Sequence, residues 1–181
     1  MAQVLTISGS PSAASRTAGV AQHIAAQLAR HDLEVDQVQV RDLPAEDLLW
    51  ARSDSPAIQR ALAQVARARA VVVASPVYKA SYSGILKAFL DLLPSAGLAG
   101  KVALPILTGG TTAHQLALDY ALRPLLSTLG AQHVVGGLFI LDSQIERRPD
   151  GSVVLDGALT ARLDGVSAEL AASVRQSSAR P

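Results

Sequence analysis

Three short segments carry most of the side chains in this sequence that could bind a ligand. The first, residues 8–17, holds four serines, a threonine and an arginine, and leads from an apolar run directly into a segment of helical period. Hydroxyls, a guanidinium and the free N–H groups of a helix N-terminus all stabilise an anion. We therefore expect Ser10, Ser15, Arg16 and Thr17 to hold a phosphate, with simple helix capping by the serines as the alternative.

The glycine of this first segment, Gly9, begins neither of the two common phosphate-binding patterns. No Gly-Lys-Ser or Gly-Lys-Thr follows it at the spacing of a Walker loop, and the later glycines of Gly-x-Gly-x-x-Gly are missing. The segment therefore suits a monophosphate ester better than a pyrophosphate.

The second segment, residues 75–84, concentrates aromatic side chains. The chain has six aromatic residues, and two of its three tyrosines lie here beside a proline that restricts the backbone. This combination suits a flat aromatic ligand, although the tyrosines could instead pack the loop onto its own sheet. The residues expected to line such a ring are Pro76, Val77, Tyr78, Lys79, Ser81, Tyr82, Ser83 and Gly84.

The third segment, residues 108–111, contains two successive glycines, which let the backbone approach a ligand because they have no side chain. We expect Thr108, Gly109, Gly110 and Thr111 to lie along one edge of the ring. Together the three segments can hold a phosphate at one end and a planar ring at the other, which is the shape of flavin mononucleotide (FMN).

The elements that must position these segments alternate along the chain. Short apolar, β-branched runs predict strands at residues 4–7, 35–40, 70–74, 102–107 and 134–140. Amphipathic periodicity predicts helices at 17–30, 55–67, 84–93, 113–129 and 157–177. Strict alternation indicates an α/β fold: a flavodoxin-like, doubly wound, five-stranded parallel sheet in three α/β/α layers, with order 2-1-3-4-5 assumed from the class. The three segments then follow strands 1, 3 and 4, where such sheets bind ligands.

Composition sets the remaining expectations. A chain of 181 residues with a formal net charge of +1 predicts a single domain over 1–181, with a frayed tail at 177–181, and disfavours a nucleic-acid or membrane partner. Without cysteine, thiolate chemistry and disulfides are excluded, and four scattered histidines do not predict a metal site. The start has no signal-peptide pattern and no apolar run is long enough to span a membrane, so we expect a cytoplasmic protein. Asp150-Gly151 beside Val153 predicts a short surface hairpin.

Over nearly the whole chain, the sequence resembles the NADPH-dependent FMN reductases with a flavodoxin-like fold. Gly9-Ser10-Pro11 with Ser15-Arg16, then residues 76–87, then residues 108–111 are similar to that family's phosphate, ring and ring-edge motifs, in the same order. The similarity is greatest to the subgroup that supplies reduced FMN to a two-component alkanesulfonate monooxygenase. The segments shared with that subgroup are 47–49, 54–56, 113–114, 119–122 and 142–144.

This resemblance implies hydride transfer from NADPH to FMN, with no catalytic acid or base from the protein. It also implies a monooxygenase as partner and a homotetramer or dimer, with Tyr120 in a π-helical insertion at the subunit interface that promotes flavin release. Ser12 departs from the family, many members of which have an arginine there, so Arg16 is expected to be the only fixed charge of its loop.

Other interpretations fit parts of the sequence. A hydrolase is disfavoured because the sequence has no Gly-x-Ser-x-Gly at a strand-to-helix turn, and His114 is the only histidine near the expected site. A flavodoxin-type electron carrier would share fold and FMN, but such carriers dock through strongly charged, usually acidic faces. An FMN-containing NAD(P)H quinone or azo reductase would use the same loops, and the sequence does not separate it from an FMN reductase.

Overall fold

The computed structural model describes residues 3–131 and 133–178. Its main sheet is parallel, with helices on both faces. The strands are β1 Val4–Ser8, β2 Val35–Gln39, β3 Ala70–Tyr78, β4 Ser81–Tyr82, β5 Val102–Gly109, β6 His133–Val134, β7 Leu138–Leu141, β8 Ile145–Arg147 and β9 Val153–Leu155. The α-helices are α1 Arg16–Arg30, α2 Ala45–Leu49, α3 Pro56–Arg67, α4 Gly84–Leu90, α5 Arg123–Thr128 and α6 Gly157–Ser178.

The strand order is the predicted one. The sheet runs β2-β1-β3-β5, and β6 and β7 pair in succession along the outer side of β5 as a fifth strand position. Ser8 at the end of β1 pairs with Gln39 and with Ala74, while β3 and β5 continue past that level to the pair Pro76 and Thr108. The loops after β1, β3 and β5 therefore leave the sheet at one edge.

The core lies on both sides of this sheet. Side chains alternate between the faces, so that Val71 packs with α3 and α4 residues on one face and Val72 packs with α1 and α6 residues on the other. Burying each large apolar side chain contributes about 1.5–3 kcal/mol. Two buried faces explain why β3 and β5 are largely apolar, whereas the edge strand β2 is mostly polar and only partly buried.

The fifth strand position differs from the prediction of one continuous strand at 134–140. It divides into β6 and β7, separated by Val135 and two glycines. Pro105 of β5 has no N–H to donate at this level, and its ring and carbonyl would lie 2.7 Å from a Cβ on Gly137. The close approach of Pro105 to Gly137 accompanies the interruption.

The helices also differ in detail from their predicted ranges. The short α2 has no counterpart in the prediction, α4 ends at Leu90, and the predicted helix 113–129 consists of a 3₁₀ turn Thr112–His114, a π-helix Leu118–Leu122 and α5. Helix α6 includes residues 177 and 178, which the prediction gave to a frayed tail, and residues 179–181 of that tail lie outside the described residues.

Ser55 occupies the N-cap position before Pro56 of α3, but its hydroxyl donates to Asp47 Oδ2 and does not cap the helix. The surface hairpin forms as β8 and β9, with Gly151 at φ +85° in its turn. None of the helices in the described ranges is long and apolar enough to cross a membrane.

Candidate functional site

The loop between β1 and α1 is ordered by its own serines. The Ser15 hydroxyl accepts a hydrogen bond from the Ala18 N–H at 3.1 Å and caps α1, and the Ser10 hydroxyl accepts one from the Ser12 N–H at 3.3 Å. Both hydroxyl residues are buried, and the first turn of α1 contains no acidic residue. The helix N-terminus therefore keeps unpaired N–H groups and positive partial charge at this edge of the sheet.

Two arginines flank this loop, whereas the sequence predicted one. Arg16 Nε donates to the Ile145 carbonyl at 3.1 Å, which ties the start of α1 to β8. Arg41, in the 3₁₀ turn Val40–Asp42 that follows β2, donates to the Ser12 carbonyl and pairs through Nε with Asp42 at 3.3 Å. Sequence reasoning missed Arg41, although the order 2-1-3 places the end of β2 beside the loop that follows β1.

A buried pair of hydroxyls joins the first and third loops. Thr17 Oγ1 in α1 and Thr108 Oγ1 in β5 lie 2.6 Å apart, and both residues are 2% exposed. One hydroxyl donates to the other, so the pair links the start of α1 to the end of β5. The two residues predicted from separate segments thus meet in the fold.

The second segment is a tight hairpin rather than an irregular loop. β3 continues to Tyr78, β4 pairs with it antiparallel, and the two-residue turn has Lys79 at φ 51° and Ala80 at φ 62°. Positive φ at both turn positions is the type I′ geometry that suits hairpins but is unfavourable for residues with a Cβ. Lys79-Ala80 carries no sequence signal for this turn, because such turns favour Asn and Gly.

The two tyrosines of the hairpin have different environments. Tyr82 is partly buried and packs on the core, as in the packing alternative, whereas Tyr78 is half exposed. An open cleft of about 770 Å³ is lined by Val77, Tyr78, Lys79, Ala80 and His114. The hairpin therefore offers one exposed aromatic side chain to a ligand, and the 3₁₀ turn brings His114 to the same cleft.

Ser83 connects the hairpin, α4 and the first loop. Its hydroxyl donates to the Gly9 carbonyl and accepts from the Leu86 N–H, and its N–H donates to Ser75 Oγ at 2.9 Å. A Cβ on Gly9 would lie 2.5 Å from Leu86 Cβ. Ser83 and Gly9 thus fix the distance between the phosphate-loop segment and the hairpin segment.

The third segment combines one packed and one open glycine. A Cβ on Gly109 would lie 3.0 Å from Phe139 Cζ. Around a Cβ on the exposed Gly110, by contrast, the nearest atom of the described residues beyond its chain neighbours is Asp142 Oδ2 at 3.8 Å. Thr111 Oγ1 accepts from the Ala113 N–H and starts the 3₁₀ turn. The backbone at Gly110 is accessible to a ligand.

Tyr120 lies in the π-helix Leu118–Leu122, the local structure that the resemblance implied. Its side chain is 79% exposed and the nearby Leu116 is 62% exposed. Asp119 accepts a hydrogen bond from Arg123 Nε at 2.8 Å across this helix. Among the described residues, no group of His, Asp and Glu side chains could hold a metal ion.

Loops of this kind, at the carboxyl edge where a doubly wound sheet reverses its strand order, are where nucleotides and flavins bind. Fold and site thus define an α/β protein of the nucleotide-binding class. The family model for NADPH-dependent FMN reductase matches residues 2–146, and the chain belongs to that family.

Individual relatives agree with this assignment. An FMN reductase (NADPH) of Pseudomonas putida is 52% identical over 142 residues, covering 78% of this chain and 72% of that protein. The solved apo form of the NADH:FMN oxidoreductase EMOB has a TM-score of 0.86 and 38% identity, covering 96% of this chain and 90% of that one. A flavodoxin from the domain Archaea has a TM-score of 0.66 at 14% identity, covering 95% and 98%, and supports the flavodoxin-like fold alone.

The protein is therefore an oxidoreductase with NAD(P)H-dependent FMN reductase activity, and its ligands are FMN and NADPH. The residues present suit FMN. The first loop offers a capped helix N-terminus without acidic residues, and the buried Ser8 Oγ at its start has no hydrogen-bond partner among the described residues. The open backbone at Gly110 and the exposed ring of Tyr78 supply the surfaces that a planar ring needs.

Proposed function

We propose that the three loops bind one FMN and that the protein releases it, once reduced, to a separate enzyme. The observation that carries the proposal is the convergence at one sheet edge of the loop before α1, the Tyr78 hairpin and the Gly110 backbone. None of these three features alone identifies an FMN site. Their order along the edge matches a ligand with a phosphate at one end and a flat ring at the other.

Each part of the chain has its own task in this proposal. Ser10, Ser15 and the N–H groups of the first turn of α1 bind the phosphate, and Arg16 and Arg41 add positive charge beside it. The segment from Pro76 to Gly84 lines the ring and excludes water from one of its faces.

The ring-edge loop has an electrostatic task. The backbone N–H groups of residues 109–111 face the pyrimidine edge, where they stabilise negative charge. When bound, FMN supplies the redox chemistry by accepting hydride from NADPH. The chain positions its two ligands and needs no acid or base of its own.

Release of the flavin is supported by the openness of the site. Tyr78 is half exposed, and the cleft beside the hairpin opens to solvent instead of enclosing a ligand. Tyr120 lies in an exposed π-helix, and π-helices are frequent at functional sites. We assign Tyr120 to an interface that promotes this release.

The recipient in this proposal is a monooxygenase that uses reduced FMN, most specifically one that desulfonates alkanesulfonates. Support comes from the similarity of five segments to that subgroup, one of which, residues 119–122, lies within the π-helix. The protein itself is not expected to contact the sulfonate.

A homotetramer is the assembly that we propose. Support comes from large apolar side chains that the single chain leaves exposed, and such side chains are commonly covered by other subunits. Apart from Tyr78, which the proposal assigns to the flavin, they are Leu49, Trp50, Leu116 and Tyr120.

The test is NADPH oxidation in air by flavin-free protein as FMN is added, with a quinone as a second acceptor. We expect negligible oxidation without FMN and a saturable rate with it. A quinone reductase would instead reach its full rate of NADPH oxidation, with quinone as acceptor, once one FMN is bound per chain. Further FMN would not raise that rate. Binding of FMN without NADPH oxidation would move the function to an electron carrier.

A further inference from the structure

A groove of about 460 Å³ runs along β7 next to the candidate site, and nothing described so far uses it. Its lining combines apolar side chains, among them Leu118, Phe139 and Leu141, with polar and charged ones, among them Thr112, Arg123 and Arg162. Small-molecule sites pair apolar surface with polar groups that fix the orientation of the ligand.

The groove begins at the ring-edge loop. Thr112, at its near end, directly follows residues 109–111. Phe139 lines the groove, and its ring also lies close to Gly109. A ligand whose reactive end lies over the ring-edge loop can therefore extend into the groove without leaving the surface of the protein.

The charges of the groove favour an anion. Arg123 is paired with Asp119, whose carboxylate is the acidic group of the lining. Arg162, exposed on α6, makes no hydrogen bond or ion pair with any residue in the described ranges. The lining thus has two guanidinium groups and one carboxylate, which leaves one excess positive charge. Arg162 carries this charge and has five free N–H donors.

The same arrangement suits a ribose 2′-phosphate. In dinucleotide sites an acidic side chain accepts a hydrogen bond from the ribose 2′-hydroxyl of NADH, whereas an arginine accommodates the 2′-phosphate of NADPH. The carboxylate of Asp119 is already engaged by Arg123 Nε at 2.8 Å, and Arg162 is free to bind a phosphate through two N–H groups.

From these observations, and resting on the proposed FMN reductase function, we infer that this groove binds the 2′-phosphoadenosine end of NADPH and that Arg162 is the residue that distinguishes NADPH from NADH. The apolar side chains of the lining pack on the adenine, and the guanidinium of Arg162 donates to the phosphomonoester. Arg162 acts in binding and takes no part in hydride transfer.

The direct test measures binding to flavin-free protein by calorimetry, with adenosine 2′,5′-bisphosphate and 5′-AMP as probes. The Arg162→Gln variant removes the charge from an exposed helix position, so it should fold normally. Arg60→Gln, which alters an exposed arginine of α3 that lines none of the clefts described above, is the matched control. The wild type should bind the bisphosphate more tightly than 5′-AMP.

Loss of a charge-assisted pair should weaken binding of the bisphosphate to Arg162→Gln by about 10- to 100-fold, with 5′-AMP binding unchanged. The KM for NADPH should rise by a similar factor while the KM for NADH and kcat stay the same. Arg162→Lys should restore part of the affinity, because it keeps the charge without the two-pronged geometry.

The inference is overturned if Arg162→Gln leaves bisphosphate binding unchanged, if it weakens both probes equally, or if Arg60→Gln has the same effect. It is also overturned if the wild type binds both probes equally well. The proposed function is read separately, from FMN-dependent NADPH oxidation by the wild type. Selective bisphosphate binding without that oxidation would remove the function and leave a 2′-phosphonucleotide groove.

Discussion

The hydroxyls of Thr17 and Thr108 lie 2.6 Å apart in the interior, although the residues are separated by 91 positions. Thr17 is in the first turn of α1, next to the proposed phosphate site, and Thr108 is in β5 immediately before the two ring-edge glycines. Because both residues are almost fully buried, their hydrogen bond sets the position of one end of the site relative to the other.

Thr17→Val should therefore cost stability. The substitution keeps the shape but leaves Thr108 Oγ1 buried without a partner, which costs about 1–3 kcal/mol. Urea unfolding should show a lower midpoint with an unchanged slope. The double variant Thr17→Val with Thr108→Val should recover much of the loss, because no unpaired hydroxyl remains. Additive losses in the double variant would show that the two hydroxyls do not act as a pair.

Gly9→Ala should disrupt the junction between the first loop and α4. The new Cβ would meet Leu86 Cβ at 2.5 Å and Ser83 Oγ at 3.0 Å, so the helix must shift. Overpacking of this kind costs about 1–3 kcal/mol, and FMN affinity should fall with it. Gly165→Ala is the control, because Gly165 lies within α6 and, apart from that helix's own backbone, no atom of the described residues lies within 4 Å of the new Cβ. That control should gain up to about 1 kcal/mol in free energy of unfolding. Equal losses of stability in both variants would show that the contact between Gly9 and Leu86 has no special role.

Arg16→Ala should weaken FMN binding more than it slows turnover. The variant removes positive charge beside the proposed phosphate site and the bond from Arg16 Nε to the Ile145 carbonyl. The FMN dissociation constant should rise by about tenfold, with kcat at saturating FMN nearly unchanged, because the lost interaction is uniform binding. Fluorescence titration and steady-state rates measure the two effects. Unchanged FMN affinity would count against this loop as the phosphate site.

Deletion of Tyr120 should convert a protein that releases flavin into one that retains it. Removing one residue from the π-helix Leu118–Leu122 restores ordinary α-helical spacing and removes an aromatic ring that is 79% exposed. The purified variant should be yellow, and sedimentation should show a smaller assembly. A colourless variant with wild-type kinetics and assembly would remove Tyr120 from both roles.

Much of the fold could be predicted because its signals are local. Runs such as Val71-Val72-Val73 are apolar on both faces, which marks strands covered by helices on both sides. The periodicity of α1 and α3 likewise gave those helices nearly to the residue. What could not be predicted depends on contacts distant in sequence, such as Pro105 against Gly137 at the interruption of the fifth strand position.

The site was predicted at the level of segments rather than contacts. The three loops do converge, because strand order alone brings them to one edge. The hydrogen bonds of Arg41 to Ser12 and of Ser83 to Gly9 join residues that no local pattern connects. Arg162 has no local motif either, and only the packing of α6 beside β7 brings it to the groove.

The measurement that tests the central claim most directly is the anaerobic reduction of a large excess of FMN by NADPH in the presence of a small amount of protein. The loss of flavin absorbance reports the amount of FMN reduced. If FMN binds at this edge and leaves as reduced product, many FMN molecules should be reduced per chain at a steady rate. Reduction that stops after one FMN per chain would contradict this account, because the flavin would then be a resident group.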